Sequence, residues 1–153
     1  MTATIIQFFN IVLVALLAGT SFGIWVGFNP VNYSESTYIE QQQNLVTSLN
    51  TLMVALVIIA TIVTIASAFL QRQNKTAFFA LLIAAFFLAL CIVISRFGNL
   101  PIQTEMLSWN SASRPYNWTE MRDKWWSFHV LRTVAELIAL VIVAWTSAMQ
   151  HKK

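Results

Sequence analysis

Charge is what this 153-residue chain has least of: Asp, Glu, Lys and Arg together make up 10% of it, against about 25% in an average soluble domain. With 58% hydrophobic residues and a mean hydropathy of +0.66, that scarcity excludes a water-soluble globule. The net charge is only +3, and no run of Lys or Arg tracks a phosphate backbone, so no nucleic-acid partner is expected. One cysteine, Cys91, excludes an intrachain disulfide and any Cys-pair metal motif; inside an apolar run it reads as a small buried hydrophobe. Four glycines and three prolines leave long stretches free of helix breakers. Phosphate-binding loops, nucleophile elbows and zinc spacings are absent from the sequence.

Long apolar runs are present instead. A spanning helix needs about 20 apolar residues, and four stretches qualify: Ile5 to Phe28, Leu45 to Leu70, Ala77 to Ile94 and Trp126 to Met149. The first has no preceding Lys or Arg and is too long for a signal-peptide core, so it reads as a retained span. The expected fold is an all-α integral membrane protein, a single domain over residues 1–153 built as a four-transmembrane-helix bundle. With four spans, Arg72, Lys75, Lys152 and Lys153 share one side without acidic residues. The positive-inside rule then puts both termini in the cytoplasm.

The third connection, Phe97 to Lys124, is the longest. Gly98 and Pro101 are expected to end the third span. Ile102 to Trp109 mixes apolar and polar residues in the manner of a short interfacial helix. Ser111 to Pro115 reads as a turn, and Trp118 to Lys124 as a helical lead into the fourth span. Trp118 and Trp126 suit a headgroup-level aromatic belt. In the first span Gly19, Gly23 and Gly27 recur every four residues, the spacing of close helix contact.

Candidate chemistry concentrates at the mouth of the fourth span. His129, Arg132 and Glu136 stand at i, i+3 and i+7 and share one helix face. Each ionisable group in a span costs about 2.5–3.5 kcal/mol on insertion scales and usually persists because it is paired or serves a site. Arg132 and Glu136 have the i,i+4 spacing of a structural ion pair, and Arg132 the reach to snorkel to headgroups. His129 is the residue able to exchange a proton near neutral pH. Trp125, four residues before it, is placed to wall a pocket or stack on a planar ligand. On the second span Gln43, Thr47 and Asn50 share a face, either as interhelical glue or as the far wall of a pocket.

These residues also carry a resemblance. The series Asn99-Leu100-Pro101-Ile102, Trp109, Arg114-Pro115-Tyr116-Asn117-Trp118, Arg122-Asp123-Lys124-Trp125-Trp126, His129 and Arg132 resembles the anthrone oxygenase-like family of small four-span membrane proteins, mostly bacterial. Gly19 to Gly27, Tyr38-Ile39-Glu40-Gln41-Gln42-Gln43 and Asn50 fit the same pattern. The resemblance implies a protein of the bacterial inner membrane and oxidation of an anthrone or quinol-like aromatic by dioxygen without a dedicated cofactor. It further implies a site of Asn99, His129 and Arg132. His129 would act as base and Arg132 with Asn99 would hold the oxyanion. Trp109 and Trp125 would flank the substrate, with Gln43, Asn50 and Glu136 completing the pocket; Glu136 stands outside the family pattern.

Two other classes remain open. One is a haem or metal protein, with His129 paired to a second subunit's histidine or to Met53 or Met106, since His151 lies in the tail. The other is a non-catalytic subunit of a homo-oligomer or larger membrane complex, its polar stripe used for assembly.

Overall fold

The computed structural model describes residues 2–110 and 112–150, without the side chains of residues 2 and 150. Five helices account for nearly all of it: α1 (Thr2–Gly27), α2 (Glu35–Leu70), α3 (Lys75–Ile94), α4 (Leu100–Met106) and α5 (Trp118–Gln150). No strand occurs among the described residues. Four helical stretches are long and apolar enough to cross a membrane, so this is an all-α integral membrane protein. Each long helix packs on two neighbours in the cyclic order α1, α2, α3, α5, which closes an up-down-up-down bundle.

The outside of the bundle is apolar, with Phe8, Leu16, Phe22, Ile62, Phe86 and Val141 among its exposed residues. Inside, small residues let the helices approach: Ala18, Ala60, Ala84 and Ala139 are fully buried beside Val14, Leu81 and Leu88. A hydrocarbon core is about 30 Å thick and a helix rises about 1.5 Å per residue. The 36 residues of α2 and 33 of α5 therefore overshoot it. The overshoot builds a second small core at the end carrying the third connection, where Tyr38, Ile39, Met106 and Trp109 pack together.

Three sequence expectations change. The second helix begins at Glu35, ten residues before Leu45, because Ser34 caps it: Ser34 Oγ accepts the Thr37 amide at 3.4 Å. Gly98 and Pro101 do not break the third helix. The short helix of the third connection exists, but it continues α3 through one π-helical turn, Ser95–Asn99, closed by the Leu100 amide on the Ser95 carbonyl. The wider turn accommodates Pro101, which has no amide to offer the ladder. Gly98 is buried there against the Phe128 ring.

The third change concerns Gly19, Gly23 and Gly27. All three face outward, and a Cβ at any of them would meet nothing within 4 Å. Within this chain the glycine stripe packs nothing. Ser111, His151, Lys152 and Lys153 lie outside the described residues.

Candidate functional site

The stripe on α5 turns inward, as its spacing requires. His129 is fully buried and Glu136 is 2% exposed. Arg132 Nη2 donates to His129 Nδ1 at 3.3 Å, and Arg132 Nη1 to Ser95 Oγ at 3.4 Å. A guanidinium has only donors, so Nδ1 of His129 is the acceptor. Its Nε2 therefore carries the hydrogen and donates to the Ser21 carbonyl on α1 at 3.2 Å. Both nitrogens of the neutral imidazole are thus engaged. Trp125 and Trp126 stack on the ring, at centroid distances of 5.3 Å and 5.4 Å.

Asn99 joins this arrangement from the π turn. Its Nδ2 donates to the Trp125 carbonyl at 3.0 Å, fixing the start of the buried part of α5 to the end of α3. The result is a run of contacts from Asn99 through Trp125 and His129 to Arg132.

Arg132 and Glu136 do not form the ion pair their spacing suggests. The ion pairs among the described residues are Arg114–Glu35 and Arg122–Asp123, both at the loop end. Nε of Arg132 and Oε2 of Glu136 are buried without a hydrogen-bond partner. Buried charges of this kind are costly unless something compensates them. Both residues line a cavity of about 130 Å³ between α2, α3 and α5, with Asn50, Met53, Cys91 and Gln103 in its wall. A smaller annex of about 30 Å³, lined by Trp125, Leu45, Val46 and Ile24, meets the larger space at Asn50, Met53, Gln103 and Arg132.

A sequence model of the anthrone oxygenase family matches residues 43–142. The chain belongs to the anthrone oxygenase family. The match spans every candidate site residue, from Gln43 to Glu136. No curated protein and no solved structure matches the chain.

Set on this anthrone oxygenase-family bundle, the sequence candidates separate into three groups. Arg132, Glu136 and Asn50 border the main cavity, and Trp125 borders its annex. His129 and Asn99 are absent from both walls and act on the residues that form them. Trp109 and Gln43 are elsewhere. Trp109 packs with Tyr38 and Met106 in the loop-end core, apart from Trp125 at the annex. Gln43 Nε2 donates to the carbonyls of Met106, Leu107 and Trp109 at 3.3, 3.4 and 2.9 Å, which ties down the end of α4.

Cys91, Ser95 and Gln103 line the same cavity and were not read as site residues, and Met53, which the sequence offered only as a possible haem partner of His129, lines it too. Cys91 Sγ contacts the Phe87 carbonyl at 3.1 Å and the Arg132 carbonyl at 3.4 Å, and so joins α3 to α5 at the cavity floor. Ser95 and Gln103 carried a signal of a kind, being polar at the inner face of the third helix and its continuation. His129 does not suit haem ligation here, because iron needs a free ring nitrogen and both are committed within the protein. Met106, one of its suggested partners, is occupied in the Tyr38 and Trp109 core.

Proposed function

We propose that this protein oxidises a small hydrophobic hydroxyaromatic, of anthrone or quinol type, with dioxygen and no dedicated cofactor, in a bacterial inner membrane with both termini cytoplasmic. The observation that carries the reading is the pair of buried, mutually unpaired groups on one wall of an apolar cavity: the Arg132 guanidinium and the Glu136 carboxyl. Such a site presents a fixed cation to an oxyanion and a base to an acidic hydrogen, in surroundings of low dielectric.

For an anthrone, whose three fused rings exceed the enclosed space of about 130 Å³ and would extend into its open mouth, Glu136 takes a proton from the acidic ring CH₂, and Arg132 holds the enolate oxygen. The electron-rich carbanion carbon combines with dioxygen to give a hydroperoxide after reprotonation. Loss of water leaves a carbonyl, so that CH₂ and O₂ become C=O and H₂O. Glu136 replaces His129 as the base in this scheme, because a base must reach the proton it removes and His129 does not border the cavity. His129 is a positioning residue: it accepts from Arg132 and sets where the guanidinium points. Asn99 acts one contact further out, through Trp125.

The test is dioxygen uptake and product formation by purified protein in nanodiscs, with anthrone and with trimethylhydroquinone, each corrected for autoxidation. Glu136→Gln should slow turnover by about 10²–10⁴-fold, the range for a lost general base. Arg132→Gln should cost about 10²–10³-fold, the range for a lost oxyanion donor. Wild-type protein that adds nothing to autoxidation of either compound would refute the reading. A Glu136→Gln variant as fast as wild type would refute the base assignment alone.

A further inference from the structure

The cavity is not sealed within the bundle. Its rim includes Val54 and Ile58 on α2, which are 38% and 44% exposed. Across the gap stand Ile92 and the exposed Arg96. Val54, Ile58 and Arg96 are exposed on the outside of the bundle and Ile92 is half-buried beside them, so the opening gives onto the bilayer between α2 and the end of α3. The other approach, through the loop end, is closed. Tyr38, Met106 and Trp109 pack there with exposures of 0%, 1% and 4%, the carbonyls beyond them are held by Gln43, and Arg114 and Glu35 join the third connection to the start of α2.

Chemistry at the rim changes along the helices. Val54 and Ile58 are apolar, whereas Arg96 is an exposed cation, a side chain long enough to serve at headgroup level. The opening therefore lies where hydrocarbon gives way to the polar interface, the level at which phenols partition. Size restricts the occupant as well. An engineered cavity of ~150 Å³ admits one benzene ring, so about 130 Å³ encloses one ring and leaves anything longer in the mouth.

We infer that the cavity is a laterally entered, bilayer-facing binding site for amphipathic phenols, one ring enclosed with its hydroxyl oxygen on Arg132 and any tail passing out between Val54 and Ile58 on one side and Ile92 and Arg96 on the other. The inference rests on the oxygenase reading for its choice of ligand class and for nothing else. Glu136 on α5 and Asn50 on α2 offer further polar groups to such a ligand, and Met53, Val57 and Cys91 apolar ones.

Anaerobic binding isotherms of 4-butylphenol to the protein in nanodiscs, corrected against empty discs, test it. Saturable binding is expected, with butylbenzene about tenfold weaker, as loss of one hydrogen bond to a charged group requires. Ile58→Trp, which fills the mouth, should weaken 4-butylphenol binding by about tenfold or more. Ile62→Trp, one turn away on the exposed face of the same helix and outside the cavity, should leave it unchanged. An unchanged far-ultraviolet circular dichroism spectrum and unfolding midpoint for Ile58→Trp guard against reading a folding defect as a blocked mouth. Wild-type affinity in Ile58→Trp, or equal binding of 4-butylphenol and butylbenzene, would overturn the inference. Because oxygen is absent, binding of 4-butylphenol together with no turnover of anthrone or trimethylhydroquinone in air would sink the oxygenase reading and keep the site. Turnover that Ile58→Trp leaves intact would do the reverse.

Discussion

Gly98 should be the least replaceable glycine in the chain, and the geometry fixes why. A Cβ built there would lie 2.7, 2.8 and 2.9 Å from Cγ, Cδ2 and Cδ1 of Phe128. Those atoms belong to the base of a rigid ring on a neighbouring helix, not to the tip of a flexible side chain. Alanine must therefore push α5 from the π turn or tilt the ring into its neighbours. Overpacking of this kind costs about 1–3 kcal/mol, while replacing glycine by alanine in a helix returns about 0.5–1 kcal/mol. The net destabilisation of Gly98→Ala should fall between about 0 and 2.5 kcal/mol. Unfolding by sodium dodecyl sulfate in mixed micelles, followed by far-ultraviolet circular dichroism, measures it. In a Phe128→Leu background the ring is gone, and the same Gly98→Ala change should become neutral or stabilising. Equal effects in both backgrounds would refute the packing argument, since a double-mutant cycle reports only what the two side chains share. The substitution should also loosen the adjacent Asn99 contact to Trp125, and with it the aim of Arg132.

Two further substitutions probe features the site depends on less directly. Gly19→Ala and Gly23→Ala place their methyl groups in open space, so each should leave stability unchanged or raise it by up to about 1 kcal/mol. A lowered unfolding midpoint would mean that another chain covers this face. Gln43→Leu deprives the carbonyls of Met106, Leu107 and Trp109 of their shared donor, at a cost of about 1–3 kcal/mol. Faster amide exchange over residues 107–110 should accompany it, and unchanged protection there would show that the loop is held by packing alone.

Apolar run length made the four helices legible, because a membrane span is specified by little else. The helix ends were less so. Ser34 is an ordinary N-cap, but the polar stretch from Glu35 to Asn44 masked a helix that extends beyond the hydrocarbon. Gly98 and Pro101 carry the signs of a helix stop and instead mark a π turn, since widening one turn relieves the missing amide without ending the helix. The inward face of His129, Arg132 and Glu136 followed from spacing. The fate of the expected ion pair did not: i,i+4 spacing permits contact, and the rotamers are set by Ser95, His129 and the cavity, all brought in from outside the local sequence. That Met53, Cys91 and Gln103 line the cavity was hidden for the same reason. They are common residue types, and only the packing of α2, α3 and the helix continuing it around α5 puts them on one wall.

The motif residues and the cavity residues divide the work. Asn99, Trp125 and His129 form a brace whose last member holds Arg132, with His129 anchored in turn to the Ser21 carbonyl of α1. None of this bracing neutralises the guanidinium, for its contacts are to a neutral imidazole and a hydroxyl. Burying such a charge costs several kcal/mol, and swapping it for an apolar residue is often harmless to stability. On the proposed function, the asparagine, the stacked tryptophan and the fully buried histidine aim that charge at a ligand from outside, with the Glu136 carboxyl as its nearby countercharge. The cavity that Arg132 lines is where the proposed ligand would sit. Changes to Met53, Val57, Cys91 or Gln103 would then alter which molecule is accepted while leaving the brace untouched. This separation explains how a motif series can identify the family without identifying the substrate.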